Sequence, residues 1–284
     1  MVAEKHEQIF RSGSKTYYFS SRFFPPAVRK DVYALYGFVR TADNLVDTQP
    51  VAPALFHAFR KAYTTSLTTG EASGDVVIDA FLELQKRKQF DPAWTEAFLD
   101  SMEHDLIKPT CDSLDEVLTY IYGSAEVIGL YMARIMDLEE AAFPYAAMLG
   151  RAMQYINFIR DIQEDNELGR RYLPLDTSGI SSLEYADVAV HQQLFATFLR
   201  TEIKRYQTWQ KEAQKGYRYI PRRYRIPIMT AADMYCWTAQ QIALDPMIVF
   251  RKRVKPHASR ILSRGFAHSL GVALPCRLFR KQNA

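Results

Sequence analysis

Apolar residues recur at three-and-four spacing over nearly the whole chain, and this regularity restricts it to an all-helical architecture. The periodic segments run roughly over residues 28–47, 53–69, 75–87, 92–107, 113–138, 140–168, 182–215 and 222–250. Breakers separate them: Pro25-Pro26, Gly70 and Gly74, Pro92, Pro109, and a loop from Gly169 to Gly179 that contains Pro174. Ser113 with Asp115-Glu116, and Ser181-Ser182 with Glu184, carry the side chains that start helices. There are no alternating strand blocks with hairpin turns, no repeat period and no low-complexity linker. The expectation is one all-α domain spanning residues 1–284, a bundle of about eight or more helices.

Composition narrows the function classes. Hydrophobic residues make up 48% of 284, enough for a substantial core, and the net charge of +4 tolerates an anionic partner without selecting one. The basic residues are spread along the chain with no recognition motif, so no nucleic-acid partner is expected. Cys111, Cys236 and Cys276 are too few and too scattered for a disulfide framework or a zinc site. No Glu-x-x-His pair occurs, which argues against a di-iron bundle. The first ten residues hold no apolar run of signal-peptide length, and Tyr120 to Met136, the most apolar stretch, is broken by Glu126 and Arg134. A cytoplasmic protein is expected, soluble or peripheral to a membrane. From Arg251 onward the chain is rich in Arg and Lys, with Phe266, Leu270 and Leu274 between them; a solvated basic face and contact with a membrane surface both fit.

Two acidic motifs stand out. In YALYGFVRTADNLVD, Tyr36, Arg40, Asp43 and Asp47 fall at steps of four, three and four, on one helical face beside Val32 and Val39. Burying two carboxylates there needs compensation: a salt bridge with Arg40 is one, a hard cation shared by both is the other. In GRAMQYINFIRDIQEDNELGRRYLP, Gly150, Gln154, Asn157, Asp161 and Asp165 again share a face. An ordinary core helix would carry Leu or Val at those places; a buried hydrogen-bond network or an exposed polar edge is the alternative to a site. Carboxylates four apart suit Mg²⁺, which prefers oxygen ligands and bridges carboxylates to phosphates, and Mn²⁺ could replace it. Lys15, Arg40, Arg160, Arg170 and Arg171 flank the motifs and could take further phosphate charge.

Between the motifs, YIYGSAEVIGLYMARI places Tyr120, Ser124, Ile128 (or Val127) and Tyr131 on one face, with Gly123, Ala125 and Gly129 nearby. Either the small residues permit close helix packing, or they leave a cavity wall past which a long apolar chain runs. Tyr17, Tyr18, Phe19, Phe23 and Phe24 could line the same space, and aromatic faces suit a carbocation.

These segments resemble the squalene/phytoene synthase family. The resemblance rests on SKTYYFSSRFFP at 14–25, RTADNLVD at 40–47, YIYGSAEVIG at 120–129 and QYINFIRDIQEDNELGRRYLP at 154–174, with FRKRVKP at 250–256 a weaker match. It implies the all-α isoprenoid synthase fold, with a central cavity and the acidic motifs on opposite walls. It implies two prenyl diphosphates bound with Mg²⁺ and joined head to head through a cyclopropyl diphosphate. Asp43, Asp47, Asp161 and Asp165 then become metal-binding carboxylates. Ser14, Lys15, Arg40 and Arg160 become diphosphate contacts, and Tyr17, Tyr36, Tyr120, Gln154, Asn157 and Tyr172 become pocket residues, Tyr36 and Tyr172 catalytic among them. Tyr235 and Arg253 match less securely. Two departures are Asn44, where relatives often have another Asp, and Glu126, where Gly is common and a change of pocket shape is expected. The leading expectation is geranylgeranyl diphosphate converted to phytoene. Squalene or dehydrosqualene from farnesyl diphosphate is the alternative, squalene requiring NADPH. A single-substrate terpene cyclase and a non-catalytic helical partner protein follow behind. Neither the oligomeric state nor the chain length of the substrate is legible.

Overall fold

A computed structural model describes residues 21–47, 52–176 and 178–270. In chain order the helices are α1 (Pro26–Asp47), α2 (Pro53–Thr69), α3 (Val76–Lys88), α4 (Pro92–Ile107), α5 (Leu114–Ile121), α6 (Val127–Ile135), α7 (Phe143–Arg160), α8 (Ile162–Glu167), α9 (Tyr185–Val190), α10 (Gln192–Gln214), α11 (Arg222–Leu244), α12 (Ile248–Arg251) and α13 (Ala258–Ser269). No strand occurs among the described residues; Thr110 and Arg171 form an isolated bridge.

Local chemistry sets the boundaries. The side chains of Asp75 and Asp91 accept the backbone N–H of Val77 and Ala93 at 2.7 and 2.9 Å, and Ser113 caps α5 through the N–H of Glu116. Pro53 and Pro92 occupy first turns, where a missing N–H costs nothing. Gly70 closes α2 at φ 75°, a conformation that favours glycine.

Four expectations change. Residues 113–138 do not form one α-helix, because a π-helical turn over Tyr122–Glu126 joins α5 to α6. Its extra residue rotates everything downstream, so Tyr131 leaves the face of Tyr120 and Ser124. Tyr131 instead packs against Phe81, Phe90 and Trp94 and hydrogen-bonds Thr95. Second, the run through residue 168 breaks at Asp161 (φ −102°, ψ 16°), between α7 and α8. Third, Glu184 rather than Ser181 or Ser182 precedes α9, and His191 separates α9 from α10. Fourth, α13 is a helix that periodicity alone did not single out.

Two apolar clusters form the core. One gathers α1 to α4 and α6, centred on Phe38, which stacks on Phe81 at 4.0 Å, with Phe98 and Tyr63 around them. The other lies between α5, α7, α10 and α11 and includes Tyr155, Phe195, Ile203, Tyr206 and Ile242. Gly129 and Gly150 lock α5–α6 to α7. A Cβ on Gly129 would stand 2.1 Å from the Ala146 carbonyl oxygen, and one on Gly150 would stand 2.2 Å from that of Ala125. These glycines therefore serve close packing, and Ala125, Gly129 and Gly150 also line a cavity between the helices, so both readings of the small residues hold. Among the described residues, no helix is long and apolar enough to cross a membrane.

Candidate active site

A cavity of about 620 Å³ opens between α1, α4, α6, α7 and α11. Two antiparallel walls give it direction. One descends through Tyr120, Ser124, Ile128, Met132 and Met136; the other descends from Arg160 through Asn157, Gln154, Met153, Leu149 and Ala146 to Ala142. Both are polar at one end and apolar at the other. Sixteen residues separate Tyr120 from Met136, so the wall extends roughly 24 Å at helical rise. Val32, Leu35, Phe98, Met102 and Ile228 complete the apolar portion.

At the polar end, α1 contributes Tyr36, Arg40 and Asp43, while Arg253 and Lys255 come from the segment after α12. Arg40 pairs with Asp43. Burial pushes the Asp43 carboxyl up, from 3.8 to about 6, and the Asp47 charge adds to it against the opposing pull of Arg40. Asp47 is held by Arg170 at 2.5 Å, whose guanidinium also reaches the Val46 carbonyl and comes within 4.0 Å of Asp105.

The second motif is arranged differently. Asp161 receives both Arg160 (2.7 and 2.6 Å) and Arg253 (2.9 and 2.6 Å) in bidentate fashion. Burial alone would raise the pKa of its carboxyl, yet the two guanidiniums outweigh burial and hold it below the usual range. One turn on, no basic group pairs with the Asp165 carboxylate among the described residues. Burial first, and then the neighbouring Asp161 charge, push it well above the ordinary value. Lys255 has the opposite frustration: burial, Arg253 and Arg160 all lower the pKa of its ammonium.

Sequence reasoning missed Asp105, near the end of α4. Its carboxylate accepts the hydroxyls of Tyr120 and Tyr172, each at 2.8 Å, and burial raises its pKa against the pull of Arg170. Tyr172 in turn stacks on Phe158 at 4.4 Å. A lone Asp in a helix carries no local signal, and only the fold brings it under the two tyrosines. Arg170 appeared in the sequence as one flanking base among several; here it bridges Asp47 and Asp105.

Of the residues singled out from sequence, Tyr36, Arg40, Asp43, Tyr120, Gln154, Asn157, Arg160, Tyr235 and Arg253 line the cavity. Asp47, Asp161, Asp165 and Tyr172 are not among the lining residues: Asp161 reaches them through Arg160 and Arg253, Tyr172 through Tyr120 and Asp105, and Asp47 is held by Arg170. Ser14, Lys15 and Tyr17, with Tyr18 and Phe19, lie outside the described residues. Glu126 is not itself a lining residue: its buried carboxylate pairs with Arg151 at 2.6 Å, next to the lining residues Ala125 and Gly150.

The donor set suits a hard divalent cation. Burial disfavours the charged forms of Asp43, despite its pairing with Arg40, and of Asp165, and the buried Asn157 Oδ1 has no hydrogen-bond partner. Among the described residues no three acidic, His or Cys side chains already converge as a ligand cluster.

Comparison with known proteins gives one consistent result. A family model described as squalene/phytoene synthase matches residues 10–260. Phytoene synthase 1, chloroplastic, of Zea mays is 26% identical over 284 aligned residues, covering 95% of this chain and 69% of that one. The 15-cis-phytoene synthase of Pantoea ananas is 29% identical over 237 residues, covering 78% and 76%. Among solved structures, a dehydrosqualene synthase in complex with a ligand superposes with a TM-score of 0.77 at 21% identity, over 95% of this chain and 96% of that one. A squalene synthase from Alicyclobacillus acidocaldarius gives 0.75 at 20% identity, over 85% and 92%. The all-α fold is the one those structures share.

Proposed function

The chain belongs to the squalene/phytoene synthase family, and from that premise we propose that it joins two geranylgeranyl diphosphates into phytoene, in carotenoid formation. As a family member it is a prenyltransferase of the head-to-head type, acting on prenyl diphosphates. The observation that carries the finer reading is the polarity of the cavity. A long apolar channel ends at a polar rim carrying Arg40 and Asp43 from α1 and Arg160, Arg253 and Lys255 beside the Asp161–Asp165 motif. Relatives named as phytoene synthases support the choice of substrate.

In this reading the guanidiniums of Arg40, Arg160 and Arg253 and the Lys255 ammonium donate to diphosphate oxygens and stabilise the charge that develops as the C–O bond breaks. Asp43 and Asp165, with Asp47 and Asp161 beside them, would hold Mg²⁺ (or Mn²⁺), which neutralises the leaving diphosphate. The allylic cation left behind is attacked by the double bond of the second substrate, and loss of a proton from the resulting cation closes the ring to a cyclopropyl diphosphate. Loss of its diphosphate, rearrangement and release of a proton complete phytoene. Tyr36, Tyr120 and Tyr235 border the cavity and offer ring faces to these cations. Burial pushes the Tyr36 phenol up to about 12, and raises Tyr120 and Tyr172 well above their ordinary value. Each therefore stays a neutral phenol, polarising toward a cation without presenting a phenolate that the cation would alkylate.

The test is incubation of purified protein and Mg²⁺ with geranylgeranyl or farnesyl diphosphate, with and without NADPH, followed by mass analysis of the hydrocarbon. A 40-carbon product independent of NADPH is expected; a 30-carbon product as the main one would reassign the substrate. Met132, halfway down the apolar wall, is the place to shorten the channel. Met132→Trp should lower kcat/KM for geranylgeranyl diphosphate more than for farnesyl diphosphate, and an unchanged ratio would put the prenyl tail elsewhere.

A further inference from the structure

The outward face of α13 is apolar where a surface helix should be polar. Ile261, Gly265 and His268 are its buried positions, packed toward α11 and Phe23, and His268 Nε2 lies 2.8 Å from Asp233. Leu262, Phe266 and Leu270 are 47%, 64% and 66% exposed. At 100° per residue these three centre about 130° round the helix from the buried positions, so the stripe points into solvent. Solvation does not explain three large apolar side chains in register at i, i+4 and i+8.

Charge supplies the second observation. Residues 246–284 hold nine of the 36 Lys and Arg residues and none of the 32 Asp and Glu, leaving a net −5 on the remainder of the chain. Arg260 and Arg264 lie on a flank of α13 next to its buried positions. Arg260 is stacked over Trp237, and Arg264 lies 3.8 Å from Asp233. The same segment reaches the active site, because Arg253, Lys255 and Pro256 line the cavity just before α13 begins.

We propose that α13 is an interfacial helix that seats the protein on an anionic lipid surface, inserting Leu262, Phe266 and Leu270 while basic residues of the described segment from Arg251 to Arg264 meet the headgroups. An apolar stripe bound to a cationic segment is the combination that an anionic bilayer recognises and that a neutral one does not. Seated so, the protein has the cavity's polar rim beside the membrane from which long apolar chains enter and into which they leave. This inference does not depend on which prenyl diphosphate is used.

The experiment is co-sedimentation of the full chain with phosphatidylcholine vesicles, with and without phosphatidylglycerol. Binding should require phosphatidylglycerol and weaken as salt rises. Leu262→Ser combined with Phe266→Ser should cut the affinity by about tenfold or more, from the lost apolar burial. Turnover measured in detergent should be unchanged, since neither side chain borders the cavity. As a check that does not require removing the stripe, Phe266→Trp should show an emission blue shift on anionic vesicles larger than that of the wild type. Equal binding to neutral vesicles, undiminished binding by a folded double variant, or no extra shift from the Phe266→Trp variant would overturn the proposal. A concentration-dependent dimer that the double variant abolishes would overturn it too, by assigning the stripe to a second copy of the chain.

Discussion

The two acidic motifs share a spacing of four residues but not an electrostatic plan. On α1 the leading carboxylate, Asp43, lines the cavity with its pKa raised, and the trailing Asp47 is tied to Arg170. At the α7–α8 junction the order reverses. The leading Asp161 is clamped by two guanidiniums, and the trailing Asp165 is left with its charge uncompensated. Each wall thus offers one anchored and one frustrated carboxylate. The anchored one positions arginines; the frustrated one stores electrostatic cost that a bound cation would relieve. Identical sequence spacing therefore hides different roles, and those roles can be separated by experiment.

The largest effect should come from removing the cation that both frustrated carboxylates await. Excess chelator should abolish turnover and added Mg²⁺ should restore it; undiminished product formation in chelator would dismiss the shared-cation account of both walls. Next, Asp43→Asn and Asp165→Asn should each reduce kcat by roughly two orders of magnitude or more, as for loss of one preorganised electrostatic group. Circular dichroism should show the fold intact, and a folded, fully active variant would make that position structural.

Stability should divide the pairs in the opposite sense. Asp161→Asn leaves Arg160 and Arg253 facing each other without a carboxylate, and losing one partner of a buried ion pair costs on the order of 3–5 kcal/mol, less for an isostere that still accepts hydrogen bonds. A clear drop in Tm is expected, and none would show that Asp161 anchors nothing. In metal-free buffer Asp43→Asn should instead raise Tm at pH 8. The folded protein favours protonated Asp43, so this group's stabilisation is complete below about pH 3.8 and is lost as pH rises through about 6. Wild type and Asp43→Asn should thus converge near pH 4 and separate above pH 6. For Asp161 the sign is opposite, since its lowered pKa contributes stability above its unfolded value and loses it on acidification. Parallel Tm profiles for the two Asn variants would erase the distinction between anchored and frustrated carboxylates.

Much of this molecule was legible from one strand of residues. Helical periodicity placed most helices within a few residues, because an amphipathic face must be buried wherever it occurs. The motifs were legible because polar residues in register on an inward face are costly and so informative. What escaped was set by contacts distant in sequence. The π-turn at Tyr122–Glu126 sent Tyr131 into the first core cluster, while Tyr120, Ser124 and Ile128 of the same expected face line the cavity together. Glu126, which stands where relatives often have Gly, is paired with Arg151 on another helix, a partner no local pattern names. Gly129, which lines the cavity as its small-residue face suggested, also makes room for the α7 backbone, a contact the sequence alone does not show.

By itself the sequence determined the helices, the two Asp-x-x-x-Asp motifs and the family resemblance, since each depends on residues within a few turns of one another. Tertiary structure alone decided which carboxylate of each pair is held by an arginine from a distant part of the chain. Arg170 lies 123 residues from Asp47, and Arg253 lies 92 from Asp161. It also brought Asp105 beneath Tyr120 and Tyr172, a meeting that no local pattern records. The physical reason is that a backbone conformation follows from near neighbours, whereas a charge is felt by every group that folding brings within a few ångströms of it.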